Sequence, residues 1–162
     1  MPVAFNASEV YEMGIEIEKN GKKFYERAAE QMEDDNIKDF LTGLAKWENS
    51  HITLFENLRD GLTGKETENT AFDPDNEAHA YLKAAADSHV FKKSVDIAGI
   101  VSGCKTPADV LNVAVQFEKD SVVLYNTMMG LVPAKLGKDK VETLVNEELK
   151  HIAMLHDKLE QL

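Results

Sequence analysis

Two pairs of glutamate and histidine residues in the sequence have the spacing of one helical turn. Glu48 and His51 lie three residues apart, and Glu148 and His151 repeat the pair one hundred residues later. Side chains at positions i and i+3 of an α-helix lie on the same face. A carboxylate and an imidazole on one face can bind the same cation. A single pair of this kind usually lies on the protein surface, so the prediction of a metal site depends on the repeat.

Two further residues follow the same repeat. Glu18 and Tyr25 correspond to Glu118 and Tyr125, and each glutamate precedes its tyrosine by seven residues. Seven residues are about two helical turns, so each glutamate again shares a face with its tyrosine. The chain therefore contains two copies of one helical hairpin. Each copy supplies two glutamates, one histidine and one tyrosine.

The Glu–His pairs interrupt apolar stripes rather than solvated faces. In the second helix, the stripe through Glu48 and His51 advances in steps of three and four residues and contains Phe40, Leu44, Phe55 and Leu58. Leu144 and Leu155 flank the second pair in the same way. A residue in the middle of such a stripe is expected to be buried. The sequence therefore predicts four glutamates that face one core.

Four buried carboxylates require positive charge nearby. Without it they would repel each other and carry a large desolvation cost. Two divalent cations would bring four positive charges, and neutral imidazoles would complete the ligand set. Carboxylate oxygens with one histidine per metal are typical of iron or manganese rather than of a closed zinc site. One glutamate from each of two helices and a Glu-x-x-His from each of two others is a di-metal arrangement of four-helix bundles.

The helices are expected to form one all-α domain over residues 1–162, a four-helix bundle. The two hairpins span about 8–60 and 107–161. The connection 61–106 is long enough to cross the bundle, so the third helix would run parallel to the second. This crossover is predicted to carry one short extra helix at about 76–89.

Capping residues set the predicted helix starts. Asn6 or Ser8 would cap the first helix, and the acidic run 33–36 offers caps for the second. Thr106 followed by Pro107 is a typical start for the third helix. The fourth helix is expected to begin near Gly137.

Composition excludes several classes of function. The net charge of −11 argues against nucleic acid and anionic membranes as partners, since both require basic patches. The single cysteine, Cys104, excludes an internal disulfide and any cysteine-rich metal site built by one chain. No signal-like segment or membrane span is evident, so a cytoplasmic protein is expected.

The motif residues resemble those of the ferritin-like di-iron family, and the duplicated Glu-x-x-His with the Glu-to-Tyr spacing most resembles its rubrerythrin branch. The resemblance covers the four main helices and implies that Glu48 and Glu148 bridge two iron ions. It implies that Glu18 and His51 also hold one iron, and that Glu118 and His151 hold the other. Tyr25 and Tyr125 would hydrogen-bond carboxylates across the bundle, although they could equally be core aromatics.

Two departures from rubrerythrins shape the expected activity. No four-cysteine iron site is present, so electrons would come from a separate donor such as a rubredoxin-like protein. The extra carboxylate one turn after Glu118 is replaced by Ser121. We therefore expect a symmetrical centre that reduces O2 or peroxide without strong preference, in a homodimer. The alternative is an iron-binding or storage protein with ferroxidase activity, and manganese could replace iron.

The remaining candidates are expected to be structural. Trp47 lies beside a ligand but off its face and is interpreted as packing. His79, His89 and His156 have no carboxylate partner at the repeat spacing and are predicted to lie on the surface.

Overall fold

The computed structural model describes residues 7–62, 77–89, 92, 94–130, 132 and 137–162, without the side chains of 78 and 79. These residues form six helices and no strand, so the predicted all-α class is confirmed. The helices are α1 (Ala7–Gln31), α2 (Asp35–Asp60), α3 (Glu77–Ser88), α4 (Ile97–Gly103), α5 (Pro107–Met129) and α6 (Lys138–Glu160). No helix in these ranges is both long and apolar enough to cross a membrane.

The four long helices form two hairpins. Helix α1 packs mainly against α2, and α5 packs mainly against α6. The turn between α1 and α2 is closed by Asp34, whose carboxylate accepts hydrogen bonds from the amides of Asn36 and Ile37 at 2.8 and 3.1 Å. These bonds satisfy two amides that have no partner inside the helix.

Helix α5 begins where the sequence predicts it. The Thr106 hydroxyl accepts a hydrogen bond from the Asp109 amide at 3.2 Å, and the Asp109 carboxylate accepts one from the Thr106 amide at 3.0 Å. This reciprocal pair is a capping box, followed by Pro107 at the first turn. Helix α6 follows Gly137, whose φ of 127° favours glycine.

The described part of the crossover contains two short helices rather than the single one predicted. Helix α3 matches the expected segment, but the apolar residues after it also form a helix, α4. Asp96 caps α4 through the Gly99 amide at 3.1 Å, and Ile97 and Val101 are buried. Helix α3 packs against α5 and α4 against α1, so both cover the bundle. The start of the crossover, 63–76, lies outside the described residues.

Two glycines of α1 make room for phenylalanines that reach in from other helices. A Cβ atom on Gly14 would lie 2.7 Å from Phe55 Cε2, and one on Gly21 would approach Phe117 even more closely. The two rings then pack against the motif tyrosines, Phe55 on Tyr125 at 5.3 Å and Phe117 on Tyr25 at 6.0 Å between ring centroids. The glycines therefore help to position the tyrosines.

Candidate metal centre

The four long helices bring all six predicted ligands together in the middle of the bundle. Helix α1 supplies Glu18 and α5 supplies Glu118, while α2 and α6 each supply a Glu–His pair. The four glutamates are 0% exposed, and the two histidines are 1% and 3% exposed. Such complete burial of four carboxylates is rare without partners or metals. It follows directly from the apolar stripes in which they lie.

The side chains form two overlapping groups that could each hold a metal ion. The first contains Glu18, Glu48, His51 and Glu148, and the second contains Glu48, Glu118, Glu148 and His151. Within each group, one ligand atom from each residue lies within 4.8 Å of all the others. Glu48 and Glu148 belong to both groups. This sharing is the arrangement expected of two bridging carboxylates.

The imidazoles face the carboxylates with the same ring nitrogen. Nδ1 of His51 lies 3.2 Å from Glu148 Oε1 and 3.5 Å from Glu18 Oε2. Nδ1 of His151 lies 3.0 Å from Glu148 Oε2 and 3.5 Å from Glu118 Oε1. Glu148 therefore directs one oxygen toward each histidine. Each histidine offers Nδ1 to the centre and keeps Nε2 on its outer side.

Several buried atoms of this cluster have no hydrogen-bond partner among the described residues. They are Glu18 Oε2, both carboxylate oxygens of Glu48, His51 Nδ1, Glu118 Oε2 and Glu148 Oε1. A buried polar atom without a partner costs about 1–3 kcal/mol, so a cluster of six needs an explanation. Divalent cations provide one, because oxygen-rich ligand sets with one imidazole suit iron and manganese. The residues therefore fit a metal pair.

The glutamate pKa values differ with their surroundings. Burial and the charges of neighbouring glutamates raise the pKa of Glu48, with Glu18 and then Glu148 as the main neighbours. Burial and Glu148 likewise raise the pKa of Glu118, although His151 opposes the shift. Burial would also raise the pKa of Glu148, but the imidazoles of His151 and His51 outweigh it and lower the pKa to about 2. Without metal, therefore, Glu48 and Glu118 hold their protons to higher pH than an ordinary glutamate does.

The two ligand histidines have raised pKa values. Burial alone would lower the pKa of each. Around His51, the carboxylates of Glu148, Glu18 and Glu48 outweigh burial and raise the pKa well above its ordinary value. Around His151, Glu118 and Glu148 raise the pKa to about 9. Without metal, both imidazoles are therefore cationic at neutral pH and supply part of the charge that the carboxylates need.

The motif tyrosines connect the two hairpins. Tyr25 of α1 donates a hydrogen bond to Glu118 Oε1 of α5 at 2.7 Å, and Tyr125 of α5 donates to Glu18 Oε1 of α1. Burial, followed by the charge of the partner carboxylate, raises the pKa of both phenols well above 10.0. Both hydroxyls therefore remain protonated and hold one oxygen of each carboxylate. The other oxygen of each carboxylate, Oε2 of Glu18 and of Glu118, has no hydrogen-bond partner among the described residues.

Glu147, which is not among the predicted ligands, contacts the ligand histidine His51 from its outer side. Nε2 of His51 lies 2.9 Å from Glu147 Oε2. The residue at the corresponding position of the first repeat is Trp47, whose ring lies 5.8 Å from the His151 ring. The sequence shows only that the residue before each motif glutamate differs between the repeats. The contact with the histidine of the opposite helix depends on how α2 and α6 pack. Trp47 itself is 49% exposed.

The prediction that His89 lies on the surface was wrong. His89 is 2% exposed, its Nε2 lies 3.0 Å from the hydroxyl of buried Ser121, and its ring meets the edge of Phe117 at 5.6 Å. The reason lies in the tertiary structure. Helix α3 packs on α5, and His89, which directly follows α3, lies against Ser121 and Phe117 of α5. His156 is exposed as predicted, beside Glu160 at 3.6 Å. The side chain of residue 79 lies outside the described part of the chain.

His89 should make the protein less stable in mild acid. Burial lowers its pKa to about 4, although Asp120, Glu18 and Glu148 oppose the shift. Because the unfolded histidine titrates near pH 6.5, the unfolded chain binds more protons between these values, and stability falls as the pH falls through them. Relative to a His89→Gln variant, we expect the wild type to lose about 1 kcal/mol of unfolding free energy between pH 7.5 and 5.5.

Urea unfolding of both proteins in the same metal state would measure this difference. The metal-centre residues are identical in the two proteins, so the difference between them reports the titration of His89 and its coupling to Glu18 and Glu148. A difference in unfolding free energy that does not change with pH would contradict a neutral, buried His89.

The fold and the buried cluster define a ferritin-like helical bundle, and the predicted ferritin-like fold is confirmed. Among solved structures, the chain matches the 2.30 Å crystal structure of a Thermotoga maritima protein provisionally described as a ferritin-like diiron-carboxylate protein. The TM-score is 0.73 at 22% sequence identity, over 97% of this chain and 96% of that one. No protein-family profile and no curated protein matches the sequence. The likeness concerns the fold, and the rubrerythrin-like branch remains a prediction.

Proposed function

We propose that the protein is a di-iron oxidoreductase that reduces O2 or peroxide with electrons from a separate donor. The observation that carries the proposal is the pair of overlapping four-residue groups that share Glu48 and Glu148. The buried oxygens of the same cluster that have no hydrogen-bond partner among the described residues support it, because they are positioned for metal ions. Bound iron would supply the redox chemistry, and manganese would suit the same ligands.

Each ligand has a defined role in this proposal. Glu48 and Glu148 would bridge the two metals. One metal would also take Glu18 and Nδ1 of His51, and the other would take the matching pair, Glu118 and Nδ1 of His151. Because Tyr25 and Tyr125 each hold one oxygen of a terminal carboxylate, they would limit how far those carboxylates swing.

The protein would also keep bulk water away from the centre. The ligand glutamates and both tyrosines are fully buried, and Phe55 and Phe117 pack against the tyrosine rings. In such surroundings, hydrogen bonds and charges act more strongly than in water. The phenolic protons are the hydrogen-bond donors closest to the terminal carboxylates, so we propose that they hold these carboxylates in place while the charge of the centre changes.

The partners follow from what the chain contains. With one cysteine in its sequence, the chain cannot form a four-cysteine iron site, so a rubredoxin-like protein is proposed as the electron donor. The proposal also includes a cytoplasmic homodimer. Ser121, which is hydrogen-bonded to His89, is the residue three positions after Glu118, where the resemblance to rubrerythrins implies an extra carboxylate. We therefore propose reaction with both O2 and peroxide.

Stopped-flow oxidation of the anaerobic Fe(II) protein by each oxidant would test this function. We expect both oxidants to react and repeated turnover to require an added electron donor. A peroxide rate hundreds of times the O2 rate, more than about 3 kcal/mol of selectivity, would contradict the role given to Ser121. A shell of a dozen or more subunits that accumulates iron far beyond two per chain would instead establish storage.

A further inference from the structure

The two ligand histidines differ on their outer sides. Nε2 of His51 lies 2.9 Å from Glu147 Oε2, and the Glu147 side chain is 33% exposed. Since His51 turns Nδ1 toward the carboxylates of the centre, its proton belongs on Nε2 when Nδ1 binds a metal. Nε2 then donates a hydrogen bond to a negatively charged acceptor. With a metal bound, Glu147, His51 and the metal would form a carboxylate–histidine–metal triad at this position.

Among the described residues, the other histidine has no such acceptor. The repeat places Trp47 where His51 has Glu147, and the Trp47 ring meets His151 edge-on at 5.8 Å and 61°. The indole nitrogen is a hydrogen-bond donor only, so it cannot accept a hydrogen bond from the Nε2–H of His151. No other residue in the described part of the chain makes a hydrogen bond to His151 Nε2. The two positions therefore have matching ligands and unmatched outer partners.

This difference has a consequence for metal affinity. A carboxylate that accepts the N–H of a bound imidazole fixes the ring and makes its other nitrogen a stronger ligand. Removing such a partner typically lowers metal affinity about 10- to 100-fold. We propose that Glu147 is a positioning residue that makes the two metal positions unequal. The metal held by Glu18 and His51 binds more tightly, and the metal held by Glu118 and His151 is the exchangeable one.

The inference rests on the proposed metal pair and can fail separately from it. Two bridging carboxylates are shared, so the first metal weakens the second at whichever position it binds. Unequal affinities in the wild type are therefore expected on either view. The role of Glu147 must be measured with one metal position present at a time.

Two matched backgrounds isolate the positions. Glu118→Ala leaves the position of Glu18 and His51, and Glu18→Ala leaves the position of Glu118 and His151. Into each we would introduce Glu147→Ala and measure anaerobic Co(II) binding by its absorption bands. We expect Glu147→Ala to weaken Co(II) binding roughly 10- to 100-fold in the Glu118→Ala background and by less than about twofold in the other. Glu147→Gln, which keeps an acceptor but not the charge, should give an intermediate loss.

The reciprocal change tests the same point from the other repeat. Trp47→Glu places a carboxylate beside His151, and we expect it to strengthen Co(II) binding in the Glu18→Ala background only.

Glu142, an exposed glutamate of α6, provides the control for the loss of charge in the Glu147 variants. Glu142→Gln removes one negative charge at a position away from both histidines. We expect this control to leave both affinities unchanged.

A spectroscopic signature covers the case in which a ligand variant does not fold. In wild-type protein with one equivalent of Co(II), the Nε2–H of the bound histidine gives a hyperfine-shifted, exchangeable proton resonance. We expect this proton to exchange slowly with solvent, and to exchange faster in Glu147→Ala. Unchanged exchange, or equal weakening of both positions by Glu147→Ala, would overturn the inference while leaving the metal pair intact. Wild-type protein that binds no Co(II) would overturn both.

Discussion

A Glu48→Gln, Glu148→Gln double variant is expected to lose both metals, whereas the wild type should bind about two per chain. The two residues are the only ones that belong to both ligand groups of the described residues. Without them, each position keeps one carboxylate and one imidazole, which are too few ligands for tight binding. Elemental analysis after anaerobic loading with Fe(II) and removal of free metal would measure the loss.

The control for this experiment lies on the same two helices. Asp39→Asn with Glu142→Gln removes one carboxylate charge from α2 and one from α6, and both residues are exposed. This variant should retain about two metals per chain, as the wild type does. Retention of both metals in the double glutamine variant would contradict the bridging roles. A wild-type content well below one metal per chain would contradict the metal pair itself.

The second large effect is on stability. We expect the metal-free protein to be less stable than the metal-loaded protein, by about 4 kcal/mol for each site when free metal is a thousand times its dissociation constant. We also expect this gap to widen as the pH rises from about 5 to 9. The physical reason is that metals and protons compete for the same buried ligand atoms.

The sign follows from the pKa shifts of the metal-free cluster. Glu48 and Glu118 have raised pKa values, so above about pH 4.5 the folded state binds more protons than the unfolded state, and stability falls as the pH rises. The pKa of His151, raised to about 9, has the same effect between pH 6.5 and 9. Glu148, lowered to about 2, adds no further change above pH 4.5. Metal binding becomes stronger over the same interval because fewer protons must be displaced.

Thermal melts of both forms at several pH values would measure the gap. Glu48→Gln is an informative companion, because it replaces a buried carboxyl group, which must hold a proton to remain neutral, with a neutral amide of the same shape. It should make the stability of the metal-free protein less sensitive to rising pH and reduce the stabilisation by metal. A gap that does not vary with pH, or a metal-free Glu48→Gln variant whose stability falls with pH as steeply as that of the wild type, would contradict these protonation effects.

The four long helices and the six candidate ligands could be predicted from local patterns. Apolar residues at steps of three and four identify the buried face of each helix, and the motif residues lie on those faces. Glu48 is buried because Leu44 and Phe55 on the same stripe are buried. The hundred-residue repeat then indicated that the stripes carry matching ligands. Helix starts could also be predicted, from capping residues such as Thr106, because the hydrogen bonds of a cap are local.

Contacts between distant elements could not be read in this way. His89 has no periodic signal, and its burial depends on how α3 packs against α5. Helix α4 buries its apolar residues Ile97 and Val101 and packs on α1, which is distant in sequence. The unequal surroundings of the two histidines depend on Glu147 and Trp47, each facing a histidine on the opposite helix. The repeat made the ligands equivalent, but side chains across the interface between α2 and α6 made their surroundings different, because the corresponding position carries a carboxylate in one repeat and an indole in the other.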